Sequence, residues 1–374
     1  MGKPMTTQKS DPVGVGIIGC GTISPQYLEN LPLYPGLEVM ACSDIDIDRA
    51  KSRAQEHGVS KYCSVEQLLS DPNVDIVLNL TTPDAHAQVS LAAIAAGKHV
   101  YNEKPLAIDR EDGSAILNAA RSQGVRVGCA PDTFLGGGIQ TCRGLIDAGE
   151  IGRPFAATGF FASHGHESWH PDPAFYYQRG GGPMFDMGPY YLTCLVALLG
   201  PIQRVTGSYT KATAERTITS EPRHGEIITV EVPTHVTGIL EFADGAVAIV
   251  ITSFDVWASE LPRIEIYGTE GTLSVPNPNN FGGPMRLKQG RSDHWTNVPL
   301  THPEGGRGLG VADMAQAIVR DRKSRADAEL ANHVLDIMHA IHESSDQGSH
   351  IALTTTCRRP ESVPPGLPMG SFDR

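Results

Sequence analysis

Val13-Gly14-Val15-Gly16-Ile17-Ile18-Gly19-Cys20-Gly21-Thr22-Ile23-Ser24 passes from an apolar strand pattern into a glycine-bearing turn and then into a segment of helical character. Gly19 and Gly21 stand in the first two places of a Gly-x-Gly-x-x-Gly fingerprint, and Ser24 puts a small residue in the third. The first glycine permits a tight turn, and the second lets the backbone approach a pyrophosphate that rests on the start of the next helix. Thr22 and Ile23, between the glycines and that helix, join the expected dinucleotide contacts. Glycine turns are common, so the surrounding pattern has to decide the reading.

That pattern is an alternation. Leu37 to Ser43 reads as a second strand ending at Asp44, which lies 23 residues after Gly21. A spacing of roughly 20 suits the carboxylate that binds ribose hydroxyls. It would repel a 2′-phosphate, and no arginine follows until Arg49, which favours NAD over NADP. As a lone residue Asp44 could equally cap a helix. Helix patterns at Asp48 to His57, Ser64 to Leu69, Ala85 to Ala96 and Arg110 to Gln123 then interleave with strand patterns at Val74 to Leu80, His99 to Tyr101 and Val125 to Cys129. Strand and helix in turn imply a doubly wound parallel sheet.

Two strand ends stand out. Thr81-Thr82-Pro83-Asp84-Ala85-His86 can start a helix, with the Thr82-Pro83 backbone beside a bound dinucleotide and His86 one turn in. Val100-Tyr101-Asn102-Glu103-Lys104-Pro105 sets an acid and a base side by side, and the proline keeps Lys104 out of the helical region and can select a cis bond. By itself this is equally well a surface turn with a solvated ion pair.

After Cys129 the alternation stops. Ala130 to Gly138 reads as a loop carrying Asp132, and Ile139 to Ala148 as a helix. Strand patterns follow at Phe155 to Ser163, Ile202 to Thr210, Thr234 to Phe242, Ala246 to Phe254, Arg263 to Tyr267 and Thr272 to Val275, with Asp244-Gly245 supplying a hairpin turn. The expected fold is therefore an N-terminal α/β unit, residues 1–130, and a C-terminal α+β unit, residues 131–374, built on a mostly antiparallel open sheet. Gly180 to Thr193 opens a helix in which Leu192, Leu195, Val196 and Leu199 make an apolar stripe. Asp186 and Tyr190 fall together on the other side. Taken singly, Asp186 could be an N-cap and Tyr190 a core tyrosine. The segment His164 to Pro173 offers Trp169 as a face for a sugar ring and His166, His170 and Asp172 as polar contacts. Its histidine spacing does not suit a metal. Asn277 to Gly310 reads as a lid or an oligomer loop, Val311 to Arg320 and Ala328 to Ser344 as helices, and Cys357 to Arg374 as an extended tail.

Gly19-x-Gly21-x-x-Ser24, Asp44, Thr82-Pro83-x-x-His86 and Gly97-Lys98-His99-Val100-Tyr101-x-Glu103-Lys104-Pro105, in this order, resemble the Gfo/Idh/MocA family of sugar and cyclitol oxidoreductases. The combination is specific although each part is not. The resemblance implies an N-terminal Rossmann domain binding NAD through Gly19, Gly21, Thr22, Ile23, Asp44, Thr82, Pro83, His86, Glu103 and Lys104. It implies that Lys104 contacts both the substrate hydroxyl and the nicotinamide ribose, while Glu103 holds the turn. It also implies that the face of the second sheet forms a homo-oligomer contact. In that family the aspartate after the Gly-Gly loop is usually followed four residues later by an acid/base histidine, and this chain has Tyr190 there. Branches similar to glucose-fructose oxidoreductase also carry tyrosine. A phenol with a pKa near 10 needs a nearby cation to act as a base, and Lys104 is the expected one. Lys104, Asp186 and Tyr190 are thus the expected catalytic set, and Asp132, His166, Trp169 and His170 the expected substrate contacts.

The totals set bounds. A length of 374 residues suggests two domains, and a net charge of −12 argues against a nucleic-acid backbone as partner. Seven cysteines at irregular spacing fit buried thiols in a reducing cytoplasm rather than a disulfide or zinc framework. Met1 to Pro12 lacks the apolar core of a signal peptide, and no apolar run is long enough to span a membrane. The expected activity is NAD-dependent hydride transfer from a secondary hydroxyl of a sugar, glycoside or cyclitol. Two alternatives stay open. One is an enzyme that retains NAD and oxidises transiently for glycoside cleavage or epimerisation, marked by no net reduced cofactor. The other is a non-catalytic dinucleotide-sensing regulator, marked by binding without turnover.

Overall fold

Five strands, β1 (Val13–Ile18), β2 (Leu37–Ser43), β3 (Ile76–Asn79), β4 (His99–Asn102) and β5 (Val127–Cys129), form one sheet in the order β2-β1-β3-β4-β5, and every pairing is parallel. A computed structural model describes residues 12–374, so all but Pro12 of the polar stretch Met1 to Pro12 lies outside the described residues. β1 is buried along its whole length, as a central parallel strand covered on both faces must be. The helices between the strands are α1 (Ser24–Asn30), α2 (Ile47–Glu56), α3 (Val65–Leu69), α4 (His86–Ala95) and α5 (Arg110–Gln123). Ser64 and Gln67 close a capping box on α3, and Gly124 ends α5 in the left-handed conformation. The strand order reverses between β1 and β3, so a crevice opens at the carboxyl ends of those strands.

The second sheet has nine strands. They are β6 (Pro154–Ala162), β7 (Ile202–Thr210), β10 (His235–Phe242), β11 (Val247–Ser253), β12 (Ile264–Gly268), β13 (Gly271–Val275), β14 (Arg286–Gln289), β15 (Thr296–Asn297) and β16 (Ile351–Ala352). A separate hairpin pairs β8 (Glu215–Thr217) with β9 (Ile227–Thr229). In the order β15-β14-β13-β12-β6-β11-β10-β7-β16, only β6 and β11 run parallel. β8, β9, β14, β15 and β16 were not legible in the sequence. Each is two to four residues long, too short to show a period of two.

α6 (Gly137–Asp147) begins inside the glycine run that reads as loop. A side chain at Gly137 or Gly138 would meet the backbone of Pro303 or Gly282, so these glycines mark close packing rather than a flexible turn. The expected apolar stripe of α7 (Gly182–Leu199) is corrected more strongly. The helix packs against β10, β11 and β6, α6 and the C-terminal helix, and every residue except Asp186 is buried. The apolar residues therefore run right round the helix, and a one-sided pattern was only part of the signal.

α8 (Leu309–Val319) and α9 (Ala328–Gln347) return to the first sheet. Cys129 N–H donates to Ala326 O at 3.0 Å, and α9 packs against both α5 and β7. Asp327 caps α9 by accepting from Leu330 N–H at 2.9 Å. The tail packs with Val363 and Phe372 buried. All seven cysteines are unpaired and buried, and no helix among the described residues is long and apolar enough to cross a membrane.

Candidate active site

The crevice at the end of β1 widens into a cavity of about 1650 Å³ reaching from Gly19 and Asp44 to His166, Trp169 and Tyr176. A drug-sized ligand needs roughly 300–1,000 Å³, so there is room for a dinucleotide and a second molecule. Gly19 turns at φ 101°, and a Cβ there would lie 2.6 Å from the Leu80 carbonyl, which excludes any other residue. At Gly21 the Cβ position has no atom within 4 Å. That open space in the cavity wall is what a pyrophosphate approaching the backbone requires. At the cavity edge the buried Asp44 carboxylate accepts from Cys20 N–H at 2.7 Å and Asp46 N–H at 2.9 Å. Arg49 stands 3.6 Å from it, half exposed. Thr22, Ile23, Thr82 and Pro83 line the same wall. These residues fit a dinucleotide.

Two of the expected cofactor contacts, His86 and Glu103, line the cavity and are also braces. His86 is buried, with Nδ1 2.7 Å from Pro105 O and Nε2 3.1 Å from Thr81 O, so its ring ties the ends of β3 and β4 together. Burial lowers its pKa despite both carbonyls. Glu103 accepts from the Tyr27 hydroxyl at 2.8 Å and from Lys104 N–H at 2.9 Å. It anchors the turn to α1.

The Lys104–Pro105 bond is cis, and Lys104 reaches into the second domain. Its Nζ donates to Asp186 Oδ1 at 2.7 Å and to Asp186 O at 2.8 Å, across 82 positions of sequence. An ammonium has three N–H groups, so one remains for a ligand in the cavity that Lys104 lines. Burial would lower the Lys104 pKa and raise that of Asp186. The pairing outweighs it in both, holding the lysine charged above its usual range and the aspartate ionised well below the carboxylate range. His166 assists from the other side, with Nε2 3.4 Å from Asp186 Oδ2.

Tyr190 lies one turn along α7 from Asp186, as expected, with the Lys104 ammonium 5.3 Å from its ring centre. Burial raises the phenol pKa, and the Lys104 and Arg307 cations oppose this. The hydroxyl accepts from Arg307 Nη2 at 2.9 Å. Arg307 also donates to Asn279 Oδ1 at 3.1 Å. Asp132 differs from its expected place. It is fully buried, accepts from Gly308 and Gly310 N–H at 2.9 and 3.0 Å at the start of α8, and does not line the cavity.

His166, Trp169 and His170 line the cavity mouth with Phe175 and Tyr176, and Trp169 is 62% exposed. Their loop is fixed by a buried network in which Glu167 accepts from Arg216 Nη1 at 2.6 Å and from the Tyr177 hydroxyl, while Arg216 also pairs with Asp255. Among the described residues no group of three or more His, Cys, Asp or Glu side chains is placed to hold a metal. Arg307, Tyr176, Asn279 and Arg216 went unread in the sequence. Arg307 sits in a Gly- and Pro-rich segment, and Arg216 on a strand too short to show.

Residues 13–130 match the family model described as "Oxidoreductase family, NAD-binding Rossmann fold", and residues 139–274 match the GFO/IDH/MocA C-terminal domain. The 1,5-anhydro-D-fructose reductase of Ensifer adhaerens is 31% identical over 264 residues, covering 69% of this chain and 74% of the relative. The myo-inositol 2-dehydrogenase of Thermotoga maritima is 25% identical over 296 residues, covering 79% and 80% respectively. A crystal structure of an NAD binding oxidoreductase from Klebsiella pneumoniae superposes with a TM-score of 0.80 at 25% identity, covering 92% of this chain and all of that one. Cradle, paired lysine and second sheet agree with these matches, and the chain belongs to the Gfo/Idh/MocA family of NAD-binding oxidoreductases.

Proposed function

We propose that this protein is an NAD-dependent dehydrogenase for a secondary hydroxyl of a sugar, glycoside or cyclitol. The observation that carries the reading is Lys104. It stands at a strand end in the cofactor cavity, is fixed by Asp186 through two N–H groups and keeps a third to donate. The backbone of Gly19 to Ile23 and the Asp44 carboxylate would hold the dinucleotide, whose nicotinamide supplies a two-electron hydride acceptor when bound. Lys104 donates to the reacting oxygen and stabilises the charge that builds there as its proton leaves. Asp186 keeps the ammonium in place and charged. Tyr190, held by Arg307, takes the hydroxyl proton, with Lys104 and Arg307 as the cations that favour its phenolate. Trp169 offers an apolar face to a ring at the mouth, with His170 beside it. The names of the two curated relatives support a sugar or cyclitol as substrate.

The test is absorbance at 340 nm, following reduction of NAD+ by cyclitols, free sugars and glycosides, and oxidation of NADH by 1,5-anhydro-D-fructose. A change with at least one compound, larger with NAD(H) than with NADP(H), is expected. No change in either direction, with NADH binding intact, would sink the reading in favour of a dinucleotide sensor. The reading includes a homo-oligomer formed through the outer face of the second sheet. There Ile239 and Ile249 pair directly across β10 and β11 and both are exposed. Ile249→Lys should then lower the mass seen by light scattering.

A further inference from the structure

Arg49, Lys104 and Arg263 are the lysine and arginine side chains that line the cavity, and the first two are paired. Arg49 faces Asp44 at the cofactor end, and Lys104 is held by Asp186. Arg263 has no carboxylate partner among the described residues and stands exposed on the substrate side. The carboxylate lining that side is Asp186, which already has Lys104 on one oxygen and His166 on the other. Glu103 is bonded to Tyr27 and to its own turn, with the Arg307 cation behind it. An uncompensated guanidinium therefore stands at the substrate wall of a chain whose net charge is −12.

Its neighbours are donors too. Ile264 pairs with Val275 across β12 and β13, so the residue before the one strand and the residues after the other emerge at the same edge of the sheet. That edge brings Arg263, Asn277 and Asn279 to the cavity, and all three line it. Asn277 Oδ1 accepts from Asn279 N–H at 3.1 Å, and Asn279 Oδ1 accepts from Arg307 Nη2 at 3.1 Å. A backbone amide and a guanidinium can only donate, so both carboxamides are fixed with their oxygens engaged by the protein. Each keeps an NH2 group with no partner among the described residues. Behind Arg263 lies Tyr191, the neighbour of Tyr190 on α7. Burial pushes the Tyr191 phenol up to about 12, and Arg263 is the cation that works against it. Three side chains thus present N–H groups at one end of the cavity, while both amide oxygens are committed elsewhere.

We propose that the substrate carries a carboxylate bound by Arg263, Asn277 and Asn279, which makes the protein a dehydrogenase of sugar acids of the uronate class. The inference rests on the dehydrogenase reading above and narrows it.

The donor set favours this group over its rivals. Every hydroxyl of a neutral polyol brings a hydrogen that needs an acceptor, and this wall has its amide oxygens occupied. A carboxylate only accepts, and its plane matches the fork of a guanidinium. One uncompensated cation also balances one negative charge, whereas a phosphate monoester would bring roughly −1.5 to −2. The placement suits the chemistry as well. Arg263 belongs to the second sheet and Lys104 to the first, so a ring held between them is oriented at its acid group and oxidised at the opposite side. Binding energy from the part of the substrate that does not react then selects the hydroxyl that meets Lys104 and Tyr190.

The test compares matched pairs that differ in the acid group: D-glucuronate with D-glucose, D-galacturonate with D-galactose, and methyl β-D-glucuronide with methyl β-D-glucoside, each followed by reduction of NAD+. In at least one pair the acid should exceed its neutral partner by about 10-fold or more in kcat/KM. Arg263→Met should bring that ratio to within about threefold of one, and Arg263→Lys, which keeps the charge without the fork, should leave it between the two. Asn277→Asp keeps the oxygen that accepts Asn279 N–H but replaces the NH2 with a charged oxygen, and should lower the ratio as well. If the neutral sugar is turned over as well as the acid in every pair, the proposal is overturned and the dehydrogenase reading stands. A preference that ignores Arg263→Met overturns it too, as does a higher kcat/KM for D-glucose 6-phosphate than for D-glucuronate. If no compound is turned over, it is the dehydrogenase reading that fails, and calorimetric titration of the enzyme–NADH complex with the two uronates decides the site. Binding that Arg263→Met abolishes supports the carboxylate site, and no binding overturns it.

Discussion

The two walls of the cavity are built on different principles. The cofactor wall is made of backbone at consecutive strand ends: the Gly19 turn, the carboxylate closing β2, and the starts of the segments after β3 and β4. Each part is set by one or two neighbouring residues. The substrate wall is made of side chains meeting from remote positions. Lys104 meets Asp186 across 82 residues, Arg307 meets Tyr190 across 117, and Arg216 meets Glu167 across 49. A wall of local backbone requirements can be altered in affinity without altering chemistry. A wall of paired charges changes chemistry first.

The largest expected effect tests that division at the one residue belonging to both walls. Lys104→Ala should lower kcat by at least about 10³-fold while the NADH dissociation constant stays within about threefold. A parallel loss of both would make Lys104 a cofactor ligand only and erase the distinction. The substitution also leaves Asp186 with His166 as its remaining partner, and should cost about 2 kcal/mol of stability. Lys104→Met combined with Asp186→Asn should recover the Tm but not the turnover.

Gly19→Ala is the complementary break. With φ at 101° and the Leu80 carbonyl 2.6 Å from the added Cβ, β1 and β3 have to separate at their ends. NADH affinity should fall about 10²-fold and the Tm with it, since strain of this kind costs about 1–3 kcal/mol. At saturating NAD+, kcat should stay within about threefold of wild type. A collapse of kcat at saturation would show that the cofactor wall also sets the chemistry.

The same division explains what could be read in advance. The turn at Gly19, the acid at Asp44, the hairpin at Asp244-Gly245 and the cap at Asp327 are local constraints, each announced by the residues beside it. Asp186 and Tyr190 were legible because a helix turns four residues into one face. That Lys104 meets Asp186 follows from the docking of two domains, which no local pattern encodes. The same holds for Arg307 and Arg216, delivered by a glycine-rich segment and a three-residue strand. Asp132 was expected to touch substrate. Burial decided otherwise, and its carboxylate accepts from Gly308 and Gly310 N–H and caps α8.

Arg307→Met should lower kcat by about 10–30-fold with little change in NADH affinity, because Tyr190 loses the donor that orients its hydroxyl. Tyr190→Phe should cost a similar factor. If the pair acts as one unit the double variant is hardly worse than either, a coupling of about 1–2 kcal/mol in a double-mutant cycle. Strict additivity would mean that Arg307 and Tyr190 act separately, and the substrate wall would be less interdependent than its geometry implies.

The smallest effect concerns acid stability, where two buried histidines differ in hydrogen-bond polarity. On the cofactor side both nitrogens of His86 face carbonyl oxygens, so a protonated ring could donate to both. Behind the substrate wall, His333 of α9 uses Nε2 to accept Ile202 N–H at 3.1 Å, and Nδ1 meets Thr355 Oγ1 at 3.0 Å. Protonating His333 breaks the first bond, and burial lowers its pKa to about 4. A folded-state value below the unfolded one means that the unfolded chain binds more protons between about pH 6.5 and 4. The contribution of His333 to stability is therefore complete above that window and is lost as the pH falls through it, by about 3 kcal/mol at most. His333→Asn should lower the Tm at pH 8 but flatten the fall in Tm from pH 6.5 to 4, and His86→Asn should flatten it less. An equal effect of the two substitutions would show that burial alone governs acid sensitivity, with the direction of the hydrogen bonds irrelevant.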